Sequence, residues 1–104
     1  MKTPVIHPNA YIAPNATVVG DVHIGAGSSV AAGACVQGSV TIGENASVQM
    51  YTVLCGYPQA PITIGSNVRI AAHCMMVSAN HRFDDPNTPI RKQGMNYAPI
   101  VIED

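Results

Sequence analysis

Residues 5–43 read VIHPNAYIAPNATVVGDVHIGAGSSVAAGACVQGSVTIG, and the aliphatic residues in this stretch keep a strict beat. Ile6, Ile12, Val18, Ile24, Val30, Val36 and Ile42 stand six apart, and Val48 and Leu54 extend the series. Roughly a fifth of the chain is Val, Ile or Leu, so an unbroken series of this length has chance odds on the order of one in a million. Four residues after each comes a mostly small one: Ala10, Ala16, Val22, Ser28, Ala34, Val40, Ala46 and Thr52. The register resumes at Ile64, Ile70 and Met76, with Val68 and Cys74 in the small position, and shows once more at Ile102.

Alternation explains the pair. Within one short strand the small residue and the next aliphatic one lie two apart, so they share a face. A strand and a turn every six residues make a chain that coils, and three hexads per coil close a triangular prism with the aliphatic ladders inside. Gly, Asn and Pro in "PNA", "GAG", "GEN" and "GSN" supply the corners. The expected fold is all-β, a parallel β-helix of about four triangular coils forming one domain over residues 1–104.

Counting hexads locates the loops. Ile6, Ile24, Ile42 and Ile64 share a face of the prism. The steps from Leu54 to Ile64 and from Met76 to Ile102 are too long for the repeat, so insertions leave the coil at about 55–63 and 81–99. Both fall at the same corner, one coil apart. Long loops in compact domains tend to carry function, and two on one edge mark a working edge.

Composition narrows the partners. The chain has 104 residues, 47% hydrophobic and 11% charged, with net charge −1. Low charge on so small a domain suggests an oligomer. Its basic residues form no run longer than Arg91-Lys92, which excludes a nucleic-acid surface or a polybasic membrane surface. "MKTPVIHPNA" has no apolar leader core, and no stretch reaches transmembrane length. Cys35, Cys55 and Cys74 match no zinc spacing and read as reduced thiols in a cytoplasm.

His81 follows Asn80 at the mouth of the longer insertion, one position before an inward one, so it is expected to point outward. An imidazole there is suited to general-base work near neutral pH. A solvated loop-edge histidine is the alternative. His7 and His23 read as surface residues, His73 as a turn residue and Cys74 as core. Tyr51, Tyr57 and Tyr97 are placed in or near the looped edge, to stack on a sugar or, more plainly, to pack a neighbouring subunit.

From Ile62 to Asp104, "ITIGSNVRIAAHCMMVSANHRFDDPNTPIRKQGMNYAPIVIED" resembles the hexapeptide-repeat O-acetyltransferases that act on sugars. In these, "I-x-I-G" coils lead to an Asn-His or Gly-His pair, a polar loop, "P-I-x-I" and an acidic or Asn pair. The matching residues are Asn80-His81, the loop from Arg82 to Ala98, Pro99-Ile100-Val101-Ile102 and Glu103-Asp104. The resemblance implies a left-handed coil, against the usual right-handed rule, and a homotrimer packed side by side. It implies that His81 takes the proton of an acceptor hydroxyl that attacks the thioester of acetyl-CoA, the co-substrate. Asn80 would orient the acceptor or the oxyanion. Asp84 and Asp85 would hold sugar hydroxyls, or form a solvated acidic turn. The family continues beyond its acidic pair with a Trp-bearing coil lining the coenzyme groove. The expectation is therefore a chain with acceptor-side machinery and an incomplete donor site, where Arg69, Arg91 and Lys92 are the cations left for the coenzyme. The alternative is a catalytically inactive structural or ligand-binding trimer.

The stretch from Val5 to Gly43 also resembles the opening of the γ-class carbonic anhydrases. That class carries Arg-Gly-Asp where this chain has Gln37-Gly38-Ser39, and its three zinc histidines align with Cys55, Ala72 and Val77. Gln49 survives from its "N-I-Q-D" segment, and His73 is one residue off register. A zinc hydroxide needs three convergent ligands and an open position, so the expectation is no metal and no carbonic anhydrase activity.

Overall fold

The computed structural model describes residues 3–81 and 95–103. Fifteen strands of two or three residues follow one another with no helix among the described residues. They build the three faces of a β-solenoid of about four turns, which is consistent with the left-handed coil. The first face is β1 (Val5–Ile6), β4 (Val22–Ile24), β7 (Val40–Ile42), β10 (Ile62–Ile64) and β15 (Ile100–Ile102), in that order and all parallel. The second is β2 (Tyr11–Ile12), β5 (Ser29–Val30), β8 (Ser47–Val48) and β11 (Arg69–Ile70). The third is β3 (Thr17–Val19), β6 (Cys35–Gln37), β9 (Val53–Cys55) and β12 (Met75–Val77).

Registers follow the hexads. Ile6 pairs with Ile24, Ile24 with Ile42, Ile42 with Ile64, and Ile64 with Ile102, so the register does resume after the second insertion. The aliphatic ladder and the small positions beside it form one core: Val22, Val30, Val36, Leu54 and Ile62 are completely buried. The first coil is looser, with Ile6 38% exposed, because nothing described stacks beneath it.

Corners explain where Gly and Asn stand. At the corner after the first face, Gly27, Asn45 and Asn67 hold φ of 72°, 54° and 63°. At the next corner Gly33, Tyr51 and His73 hold 72°, 58° and 60°, so His73 is the turn residue the repeat made it. Gly and Asn tolerate this left-handed region readily. Asn9 and Asn15 contribute differently: their Oδ1 atoms accept the Gly27 and Gly33 backbone N–H groups one coil on, at 2.9 and 3.1 Å. Polar residues in the interior are satisfied the same way. Ser28 Oγ donates to the Gly43 carbonyl at 2.6 Å, and Thr52 Oγ1 to that of Ala71 at 2.7 Å.

Candidate functional site

The third corner, between the third face and the first, carries both insertions. At its base the coils approach so closely that side chains are excluded. A Cβ on Gly38, whose φ is 83°, would run into the Gly56 carbonyl, and one on Gly56 into that of Ser39. The first insertion leaves after β9 and folds back at once. Tyr57 N–H donates to the Ala60 carbonyl at 3.3 Å and Ala60 N–H to that of Tyr57 at 2.9 Å, closing a turn around Pro58-Gln59. The chain rejoins the coil where Ile62 N–H donates to the Ser39 carbonyl at 3.0 Å.

The second insertion leaves one coil higher. Val77 is the register partner of Cys55, so Ser78 takes the corner place that Gly56 holds below. From there the chain enters β13 (Ala79–His81), which pairs antiparallel with β14 (Met95–Tyr97). The partners are Ala79 with Tyr97, Asn80 with Asn96, and His81 with Met95. The repeat alone places the opening of this insertion at His81, as a plain polar loop. The structure opens the strand pair at Ala79, so the Asn80-His81 backbone belongs to a short ladder. The side chains of Asn80, His81 and Tyr97 lie outside the described residues. So do Asp84, Asp85, Arg91 and Lys92 altogether; Arg69 lies exposed on the second face.

The turn of the first insertion projects over the coils below it. On one side it forms a cleft of about 400 Å³ lined by Asp21, His23, Ser39, Thr41, Pro58 and Pro61. On the other side a cleft of about 440 Å³ is lined by Val19, Gln37, Cys55, Tyr57 and Pro58, with glycine backbone as its floor. His23 Nε2 lies 3.2 Å from Asp21 Oδ1 in an exposed pair, as its outward position requires. Gln37 Nε2 donates to Cys55 Sγ at 3.5 Å. His7 sits in its turn, with Nδ1 accepting the Asn9 N–H at 3.2 Å. Of the aromatic residues assigned to the looped edge, Tyr57 is there. Tyr51 is not: it stands at the second corner, because it precedes Leu54 on the approach to the third face rather than following it.

The positions aligned with the γ-class zinc ligands fall on two parts of the coil. Cys55 and Val77 are register partners on β9 and β12, while Ala72 lies exposed in the turn at the second corner. Only the thiol of Cys55 offers a donor atom, and it accepts from Gln37. Among the described residues no three His, Cys, Asp or Glu side chains gather as a ligand set. Gln49, the survivor of the γ-class segment, hydrogen-bonds Ser47 Oγ at 2.8 Å on the second face.

One residue of this corner is absent from the sequence reading. Ser78 is buried, and its Oγ donates to the Ala60 carbonyl at 2.6 Å, joining the base of the second insertion to the turn of the first. Its signal was its place in the register, one beyond the partner of Cys55, where lower coils have glycine.

Comparison with known proteins agrees with the coil. Residues 3–38 match the family described as bacterial transferase hexapeptide (six repeats). The chain is similar to mitochondrial gamma carbonic anhydrase 3 of Arabidopsis thaliana, 37% identical over 66% of this chain and 30% of that protein. It is similar to the uncharacterized transferase YtoA of Bacillus subtilis (strain 168), 35% identical over 73% of this chain and 46% of the relative. The carnitine operon protein CaiE of Escherichia coli O157:H7 is 31% identical over 64% of this chain and 36% of the relative. The chain thus spans less than half the length of each of these relatives. With the six-residue ladder stacked in register on three parallel faces, the chain has a β-solenoid fold whose residues 3–38 are similar to the bacterial transferase hexapeptide repeats.

Proposed function

We propose that this protein is transferase-like: a CoA-dependent O-acetyltransferase for a sugar-type hydroxyl, with His81 as general base. The observation that carries this reading is the stacking of both insertions on one corner, where β13 and β14 hold the Asn80-His81 backbone in a defined ladder beside the first insertion. The match to a transferase hexapeptide family and the similarity to a transferase-named relative support it. In this reading the imidazole removes the acceptor proton as the hydroxyl oxygen attacks the thioester carbonyl of acetyl-CoA, and the CoA thiolate leaves with a proton. Asn80 orients the acceptor or the oxyanion, and Asp84 and Asp85 hold hydroxyls. The setting is the cytoplasm, which suits three free cysteines. No described helix is long and apolar enough to cross a membrane.

A second reading, an inactive structural or ligand-binding trimer, is favoured by the third face. Its outward residues include Val19, Met75 and Val77, which are 43%, 72% and 39% exposed, a surface better suited to packing a neighbouring chain than to chemistry. Free-thiol release from acetyl-CoA with a panel of sugars separates the two. Turnover is expected in the wild type and should fall roughly 10²–10⁴-fold in His81→Ala, the range for losing a general base. Robust turnover indifferent to the substitution would refute the role of His81, and no turnover with any acceptor favours the second reading.

A further inference from the structure

The buried polar side chains among the described residues are Ser28, Thr52 and Ser78. Ser28 and Thr52 occupy inward positions of the repeat and tie one coil to the next. Ser78 differs in kind, because it stands at the corner and touches both insertions. Its N–H donates to the Cys55 carbonyl of the coil below at 3.2 Å. Its hydroxyl donates to the Ala60 carbonyl, which also accepts from Tyr57 N–H. Its own carbonyl accepts Ala98 N–H at 3.0 Å, the first residue after β14. Coil, first insertion and returning second insertion therefore meet at one residue, and β13 starts at the next.

We infer that Ser78 is a positioning residue for the Asn80-His81 segment: its hydroxyl bond to Ala60 sets the direction in which β13 leaves the corner. The inference rests on the reading of His81 as the base. Three residues of extended chain reach about 10 Å, so a rotation of roughly 6° at Ser78 moves His81 by about 1 Å. A misplacement of that size in a reacting group is enough to cost as much as about 100-fold in rate. The backbone bonds of Ser78 to Cys55 and Ala98 and the pairing of β13 with β14 remain, but none of them ties β13 to the turn of the first insertion. Removing the hydroxyl does not strip the Ala60 carbonyl of partners, since Tyr57 N–H stays bonded. The coil below keeps its own ladder. Ser78→Ala should therefore fold, yet hold β13 less firmly.

The test compares wild type, Ser78→Ala and His81→Ala of the full chain in the thiol-release assay. The expected result for Ser78→Ala is a kcat lowered roughly 10- to 100-fold with KM for acetyl-CoA unchanged. A wild-type kcat in Ser78→Ala, with His81→Ala inactive, overturns this inference while leaving the reading of His81 standing. Full activity in His81→Ala overturns both. If the wild type shows no turnover, amide hydrogen exchange decides. Ser78→Ala should accelerate exchange at Asn80 and His81 while the β9 amides of Val53–Cys55 keep their wild-type rates. Uniform acceleration, or none, overturns the inference.

Discussion

The ring of Tyr51 lies stacked against that of His73 one coil above, with centroids 5.5 Å apart and planes 18° from parallel. Both residues hold the left-handed conformation that glycine holds at this corner in Gly33, and the other side of the Tyr51 ring covers Gly33 itself. Stacking thus offsets a backbone cost that neither side chain would otherwise accept.

This pairing makes a prediction with an unusual order. Tyr51→Ala should lower stability by about 1–2 kcal/mol, since it loses the stack and keeps the strained backbone. Tyr51→Gly should be less damaging than Tyr51→Ala by about 1 kcal/mol, because glycine adopts this φ at no steric cost. Urea denaturation of the two variants checks it, and a less stable glycine variant would show that the strain argument is wrong.

The gradient of burial along the coil makes a second. Leu54 is fully buried in the middle of the ladder, whereas Ile6 on the first coil is 38% exposed. Leu54→Ala should cost about 2–5 kcal/mol, the range for truncating a packed core side chain. Ile6→Ala should cost less than about 1.5 kcal/mol, because its site is already half open to water. Equal losses by chemical denaturation would mean that the first coil is covered by something in solution.

Metal content is a third. With a thiol, a methyl and an isopropyl group where the γ-class places its ligands, the chain should carry no tightly held zinc. Elemental analysis after dialysis against a chelator should find far less than one zinc per chain, and a stoichiometric amount would reverse the assignment.

Assembly is the fourth. The exposed apolar residues of the third face and a charged fraction of 11% argue that chains associate through their sides. Light scattering in dilute buffer should report about three times 10.9 kDa, and a mass of one chain would exclude the trimer.

Much of this molecule is legible from the residues in order. A period of six with a fixed partner two residues earlier is one-dimensional information. Because the ladder position is filled by an apolar group in every coil, the pattern names the three faces, the ladder partners and the corner shared by the insertions. It also places His7, His23 and His73 correctly, since each has a defined phase in the repeat. Tyr51 has one too, and its phase assigns it to the second corner; proximity in sequence to the first insertion was the misleading cue.

What only the tertiary structure decided are contacts made where the repeat is broken. The Ala79–Tyr97 pairing, the Ser78 hydroxyl on the Ala60 carbonyl and the stacking of Tyr51 on His73 each join residues 18 or 22 positions apart. Hydrogen bonding and ring stacking depend on distance and angle, and those follow from how one coil settles on another. Hydrophobic periodicity says which side chains go inside, because burial is insensitive to direction. It is silent on which hydroxyl meets which carbonyl, because that bond exists only when both insertions have folded onto the same corner.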